Sequence, residues 1–92
     1  ARVRLRLLST APDALEVELW AQTPGASVEG AQLVVIAPAA DRVPVLNEGS
    51  LAQRRRQEIV TAARLDAQRW RIDLPPVSDK PRTYSIRFVA RP

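Results

Sequence analysis

The sequence predicts an all-β fold, an antiparallel two-sheet immunoglobulin-like sandwich of six to seven strands, with room for one short helix near 50–57. Three observations carry this. Arg2 to Leu7 and Leu15 to Leu19 alternate charged and apolar residues with a period of two, the signature of half-buried strands. Trp70, Ile72 and Leu74, and later Tyr84, Ile86 and Phe88, repeat that alternation. Turn-forming clusters rich in Pro, Gly, Asn and Asp punctuate the chain every 10–15 residues or so.

The elements follow in order. Folding Arg2–Leu7 onto Leu15–Leu19 about residue 11 sets Arg6 opposite Glu16 and Arg4 opposite Glu18, with Leu7, Leu5 and Val3 opposite Leu15, Val17 and Leu19. Opposite charges then share one face and apolar side chains the other, each pair contributing about 0.2–1 kcal/mol. Gln22 to Ser27 form a loop. Gln32-Leu33-Val34-Val35-Ile36-Ala37, bounded by Gly30 and Pro38, is a continuous apolar run, expected as a strand covered on both faces. A weaker strand follows at Val43–Leu46, ending at the Asn47-Glu48-Gly49 turn.

Ser50 to Arg69 reads two ways. Ser50-Leu51-Ala52-Gln53 fits a helix-capping box, and a 20-residue helix is one reading. Its stripe of Ala52, Arg55 or Arg56, Ile59, Ala63, Asp66 and Trp70 is charged at the middle, a poor core face. The favoured reading is a strand over Glu58–Ala63 and a tight turn at Asp66-Ala67-Gln68. Trp70–Leu74 and Tyr84–Val89 are the last strands, separated by Pro75-Pro76 and the Ser78-Asp79-Lys80-Pro81 loop. A simple hairpin of these two would face Arg71 against Arg87, so either they lie in different sheets, the favoured reading, or a carboxylate or anionic ligand lies between the arginines.

Asp66-Ala67-Gln68-Arg69-Trp70-Arg71-Ile72-Asp73-Leu74-Pro75-Pro76 resembles the end strands of bacterial immunoglobulin-like modules. Leu74 together with Thr83-Tyr84-Ser85-Ile86-Arg87-Phe88-Val89-Ala90 resembles the E-to-F passage of fibronectin type III domains, and Leu15 to Trp20 is similar to their B strand. The resemblance covers about half of the chain, and its motifs concern core packing. It implies a sandwich in which Tyr84 opens strand F with no strand G expected after it, or in which the last strand is itself G.

Composition narrows the function. The 92 residues, expected as a single domain over 1–92, carry 14 Lys+Arg and 10 Asp+Glu and contain no His and no Cys. Disulfides, thiolate metal sites and cysteine nucleophiles are excluded, and the side chain that most often titrates near neutrality is missing. Ser78 and Lys80 could form a dyad, but their Pro-flanked loop reads as a solvated turn. Glu16 and Glu18, facing arginines, make poor general acids. Asp13, Asp41, Asp66, Asp73 and Asp79 are dispersed, and Gly25, Gly30 and Gly49 form no phosphate-binding loop. The expectation is a protein that is not an enzyme and uses no cofactor or metal.

Surface recognition remains. The candidate binding residues are Trp20, whose phase puts it on the polar side of its strand, the run Arg54-Arg55-Arg56, and the pair Arg71 and Arg87. The leading expectation is an accessory or protein-interaction module of a bacterial envelope or secreted system, offering an edge strand or a face around Trp20 to a protein partner or neighbouring domain. Thirteen of the 14 basic residues are Arg, as a G+C-rich bacterial genome would encode. A carbohydrate-binding module attached to a larger enzyme is the alternative, using an exposed Trp. An anion or nucleic-acid binder built on Arg54–Arg56 is third; net charge is only +4 and aromatics for base stacking are scarce. No apolar run is long enough to span a bilayer, and a periplasmic, cell-surface or secreted location is favoured over the cytoplasm.

Overall fold

A computed structural model describes residues 2–52, 58–59 and 62–90. Among them every regular element is a strand, and the strands pair antiparallel throughout. In chain order they are β1 (Val3–Ala11), β2 (Ala14–Ala21), β3 (Ser27–Val28), β4 (Gln32–Ile36), β5 (Arg42–Glu48), β6 (Glu58–Ile59), β7 (Ala62–Arg64), β8 (Arg69–Asp73), β9 (Val77–Ser78) and β10 (Arg82–Ala90). Five strands form one sheet in the order β1-β2-β10-β5-β6, three form a second in the order β4-β8-β7, and β3 pairs with β9.

The first hairpin shows how period-two alternation becomes packing. Its faces are those the sequence predicts, but its register is displaced by two residues. Arg6 faces Glu18, Arg4 faces Trp20, and Leu5 and Leu7 face Leu19 and Val17. The loop is only Pro12-Asp13, and the register shifts between Leu7 and Ser9, leaving Leu8 as a bulge. A displacement of two keeps every side chain on its own face, so burial does not resist it. The Arg6 guanidinium lies 3.1 Å from the Glu18 carboxylate. Glu16 has no arginine opposite it; its Oε1 accepts the N–H of Leu51 at 2.8 Å instead.

The core lies between the two larger sheets. Val17, Leu19, Leu46, Tyr84, Ile86 and Phe88 from the five-stranded sheet meet Val35, Trp70 and Ile72 from the three-stranded one, closed by Ala37, Leu74 and Val77. Ile86 is fully buried at the centre of β10, which itself is the middle strand of the larger sheet. The Trp70 and Tyr84 strands lie in different sheets, the arrangement the charge argument favoured. In an immunoglobulin domain strands B and E share one sheet and F lies in the other. Here the B-like β2 pairs with the F-like β10, and the E-like β8 belongs to the other sheet.

Two further expectations are corrected. The apolar run Leu33–Ile36 is not covered on both faces: β4 is an edge strand, with Val34 and Ile36 56% and 68% exposed. The stretch Glu58–Ala63 is not one strand, because β6 joins the larger sheet at Leu46 and Asn47 while β7 joins the smaller one beside β8. Strands at 58–59 and 62–64 also exclude the 20-residue helix. Of the short helix near 50–57, Ser50 is in no regular element, Leu51 and Ala52 form a turn, and 53–57 lie outside the described residues.

Candidate functional site

The three-stranded sheet covers β2 but stops short of β1. Leu5 and Leu7 point the same way as their cross-strand partners Leu19 and Val17. Yet Leu19 and Val17 are 2% and 3% exposed while Leu5 and Leu7 are 48% and 53% exposed. Their inward faces therefore form an uncovered apolar ledge. Facing it across a groove of about 350 Å³ is β4, and every lining residue is of apolar type: Leu5 and Leu7 on one side, Leu33 to Ile36 on the other, Leu15, Val17 and Ile86 beneath.

Both flanking strands are sheet edges. Among the described residues β1 pairs only with β2, and β4 only with β8, so each presents an unpaired row of backbone N–H and C=O groups. Edges are normally protected by charge, proline or a bulge. β1 has all but the proline, with Arg4 and Arg6 on its outer face and the bulge at Leu8. β4 carries no charged residue and no proline. An uncharged, uncovered edge beside an apolar groove is able to accept another strand.

The predicted binding residues fall in separate places. Trp20 is half-buried on the outer face of β2, opposite Arg4, rather than standing free. Trp70 belongs to the core, its ring 5.7 Å beneath the Arg64 guanidinium. Arg71 lies on the outer face of the smaller sheet, opposite Val34 on one side and Ala63 on the other. Its nearest carboxylate is Asp73, at 4.0 Å, and its Nε is buried without a hydrogen-bond partner. Arg87 is on the larger sheet, where its guanidinium donates to the carbonyl of Leu51 at 2.7 Å. With Glu16 it straps the 50–52 turn across that sheet's outer face. Arg54, Arg55 and Arg56 lie outside the described residues.

The carboxylates are otherwise employed. Asp66 organises the 66–68 turn: its Oδ1 accepts the N–H groups of Gln68 and Arg69, at 3.1 and 2.8 Å, and its Oδ2 accepts from the Arg69 side chain. These bonds to Arg69 and Gln68 lower its pKa to about 2. Asp79 accepts the N–H of Gly25 at 2.8 Å, holding a loop whose glycine has the positive φ of 77° that other residues rarely adopt. Asp73 accepts from the Gln32 side chain. Ser78 Oγ accepts the backbone N–H of Lys80 at 3.3 Å, the geometry of a turn. Among the described residues no three acidic groups converge as a metal site would require.

The groove was missed at the level of sequence because Leu5 and Leu7 have the same periodicity as buried Val17 and Leu19. One signal was available: β4 reads as five uncharged residues, with nothing to mark which of its edges would be covered. No helix among the described residues is long and apolar enough to cross a membrane. Comparison of the chain with models of known families, with curated proteins and with solved structures finds no match.

Proposed function

We propose that the protein is a non-catalytic β-sandwich module of immunoglobulin-like type that binds a protein partner or neighbouring domain by accepting an extended segment between β1 and β4. The carrying observation is the coincidence of a free β4 edge with the uncovered inner side chains of Leu5 and Leu7. In this mode main-chain hydrogen bonds supply affinity and alternate side chains supply specificity. The sandwich reading is supported by the shared core of the two sheets, and the immunoglobulin likeness by its Trp70 and Tyr84 strands on opposing sheets. The pairing of the B-like β2 with the F-like β10, where that plan places B and E in one sheet, is its main departure.

The test uses an end-capped peptide alternating leucine and serine, titrated into isotope-labelled protein and followed by amide shifts and exchange. The expected result is protection within 32–36, with shifts at Leu5 and Leu7, both abolished by Leu7→Asp. That substitution places a charge in the groove at a half-exposed site the fold tolerates. Shifts confined to other surfaces, or none at millimolar peptide, would overturn the proposal.

A further inference from the structure

From the disposition of charge around the groove, we infer that its occupant is a single extended segment of a partner protein that alternates large apolar with acidic residues and pairs with β4. The inference rests on the strand-acceptor reading and adds the edge used and the chemistry recognised. A strand paired with β4 extends the smaller sheet over β1, and its inward side chains descend onto Leu5 and Leu7. A strand added to β1 instead would widen the larger sheet and leave that ledge as bare as before.

The groove's volume sets the number of inward side chains. A cavity of about 150 Å³ holds one benzene-sized group, so about 350 Å³ holds two large side chains. Residues i and i+2 of a strand point to the same face about 6.6 Å apart. Leu5 and Leu7 have the same spacing along β1, so two inward residues meet two apolar partners.

The outward side chains of that strand meet a different environment. On the outer face of the smaller sheet, Val34 is opposite Arg71 and Ile36 opposite Arg69. The incoming strand lies two strand spacings from β8, about 9.6 Å, a gap that an arginine and a glutamate reaching over the short valine can close between them. Arg69 is already tied to Asp66, whereas among the described residues Arg71 has only Asp73 at 4.0 Å. Arg71 is therefore the cation with capacity for an incoming carboxylate. The lining residues themselves include no charge of either sign.

A second copy of the chain is a poorer occupant. Antiparallel pairing of β1 with β1 sets arginine against arginine in the registers centred on Arg4, Leu5 or Arg6, which keep the leucines on the inner face. Pairing of β4 with β4 about a two-fold axis brings two β1 ledges into the same space, since each projects past its own β4. A lone strand meets neither obstacle.

Two end-capped nonapeptides, one alternating leucine and glutamate and the other leucine and lysine, provide the probe. Each is titrated into labelled protein at low and at 0.5 M salt, with sedimentation of the protein alone. The Leu/Glu peptide is expected to protect amides 32–36 and to bind about tenfold more tightly than the Leu/Lys peptide at low salt. High salt and the charge-removing Arg71→Gln variant are each expected to shrink that ratio towards about threefold. Equal binding of the two peptides with protection at β4 would overturn the acidic preference and leave the strand-acceptor reading standing. Protection along β1 alone would overturn the choice of edge, and self-association that protects β4 would replace the partner strand by a second copy. Binding of neither peptide, nor of the leucine–serine peptide, would remove the underlying reading as well.

Discussion

Leu5 and Leu19 stand opposite one another on adjacent strands and point to the same side of the same sheet, but only one of them is covered. Truncating each to alanine measures that difference. Leu19, 2% exposed and part of the core cluster, loses its transfer free energy and leaves a cavity behind, which for buried leucines costs about 2–5 kcal/mol. Leu5, 48% exposed, has roughly half of a leucine's burial to lose. With about 1.5–3 kcal/mol for full burial, its truncation costs about 0.7–1.5 kcal/mol, and no cavity forms because the side is already open. In a domain of this size each kcal/mol moves Tm by about 4–8 °C. Urea denaturation of Leu5→Ala, Leu19→Ala and the parent chain, with m-values compared, reads both numbers. Costs that are equal for the two variants would mean that Leu5 is covered in solution, and the groove would not then be an open site.

Other consequences follow from the same geometry. A double-mutant cycle on Arg6 and Glu18 should return a salt-sensitive coupling of about 0.2–1 kcal/mol, whereas a cycle on Arg6 and Glu16 should return none; the reverse would restore the register centred on residue 11. Because the folded pKa of Asp66 is depressed to about 2 from an ordinary 3.8, the stabilisation of its turn is complete above about pH 4 and is lost as pH falls towards 2. Amide exchange at 65–69 across that window should show the loss in the parent and not in Asp66→Asn, and a flat profile in the parent would refute the assignment. Burial, reinforced by Glu48, raises the pKa of Tyr84 above 10, so the phenol should ionise late in an alkaline absorbance titration and stability should fall above about pH 10; a midpoint at or below 10 would contradict it.

The alternation of Arg/Glu with Leu/Val made the first hairpin legible, and the apolar phases of Trp70–Leu74 and Tyr84–Phe88 located two more strands correctly. The register of that hairpin was not legible. Arg6 finds a carboxylate at either Glu16 or Glu18, and the decision falls to the short Pro12-Asp13 loop and the bulge at Leu8, neither of which leaves a periodic trace. The candidate site was hidden for a related reason. Whether Leu5 is covered depends on how many strands the opposing sheet has, and that is fixed by chain segments 60 residues away. A run such as Leu33–Ile36 signals a strand but not its rank within a sheet, so an exposed edge read as an interior strand. The like-charge argument over Arg71 and Arg87 succeeded because it compared two specific pairings.

The position of β10 has a consequence for how the chain acquires its shape. Ile86 pairs with Leu15 on one side and Leu46 on the other, so the larger sheet has no middle until residues 82–90 have been synthesised. Closing such distant segments is entropically slow. Until then β2 and β5 form two separate hairpin-sized pieces, β2 with β1 and β5 with β6, each with Val17, Leu19 or Leu46 unshielded. Emergence from the ribosome, rather than any local turn, therefore times the formation of the core. During that interval the nascent chain displays, on β2, an unpaired strand edge of the same kind that the finished protein keeps at β1 and β4.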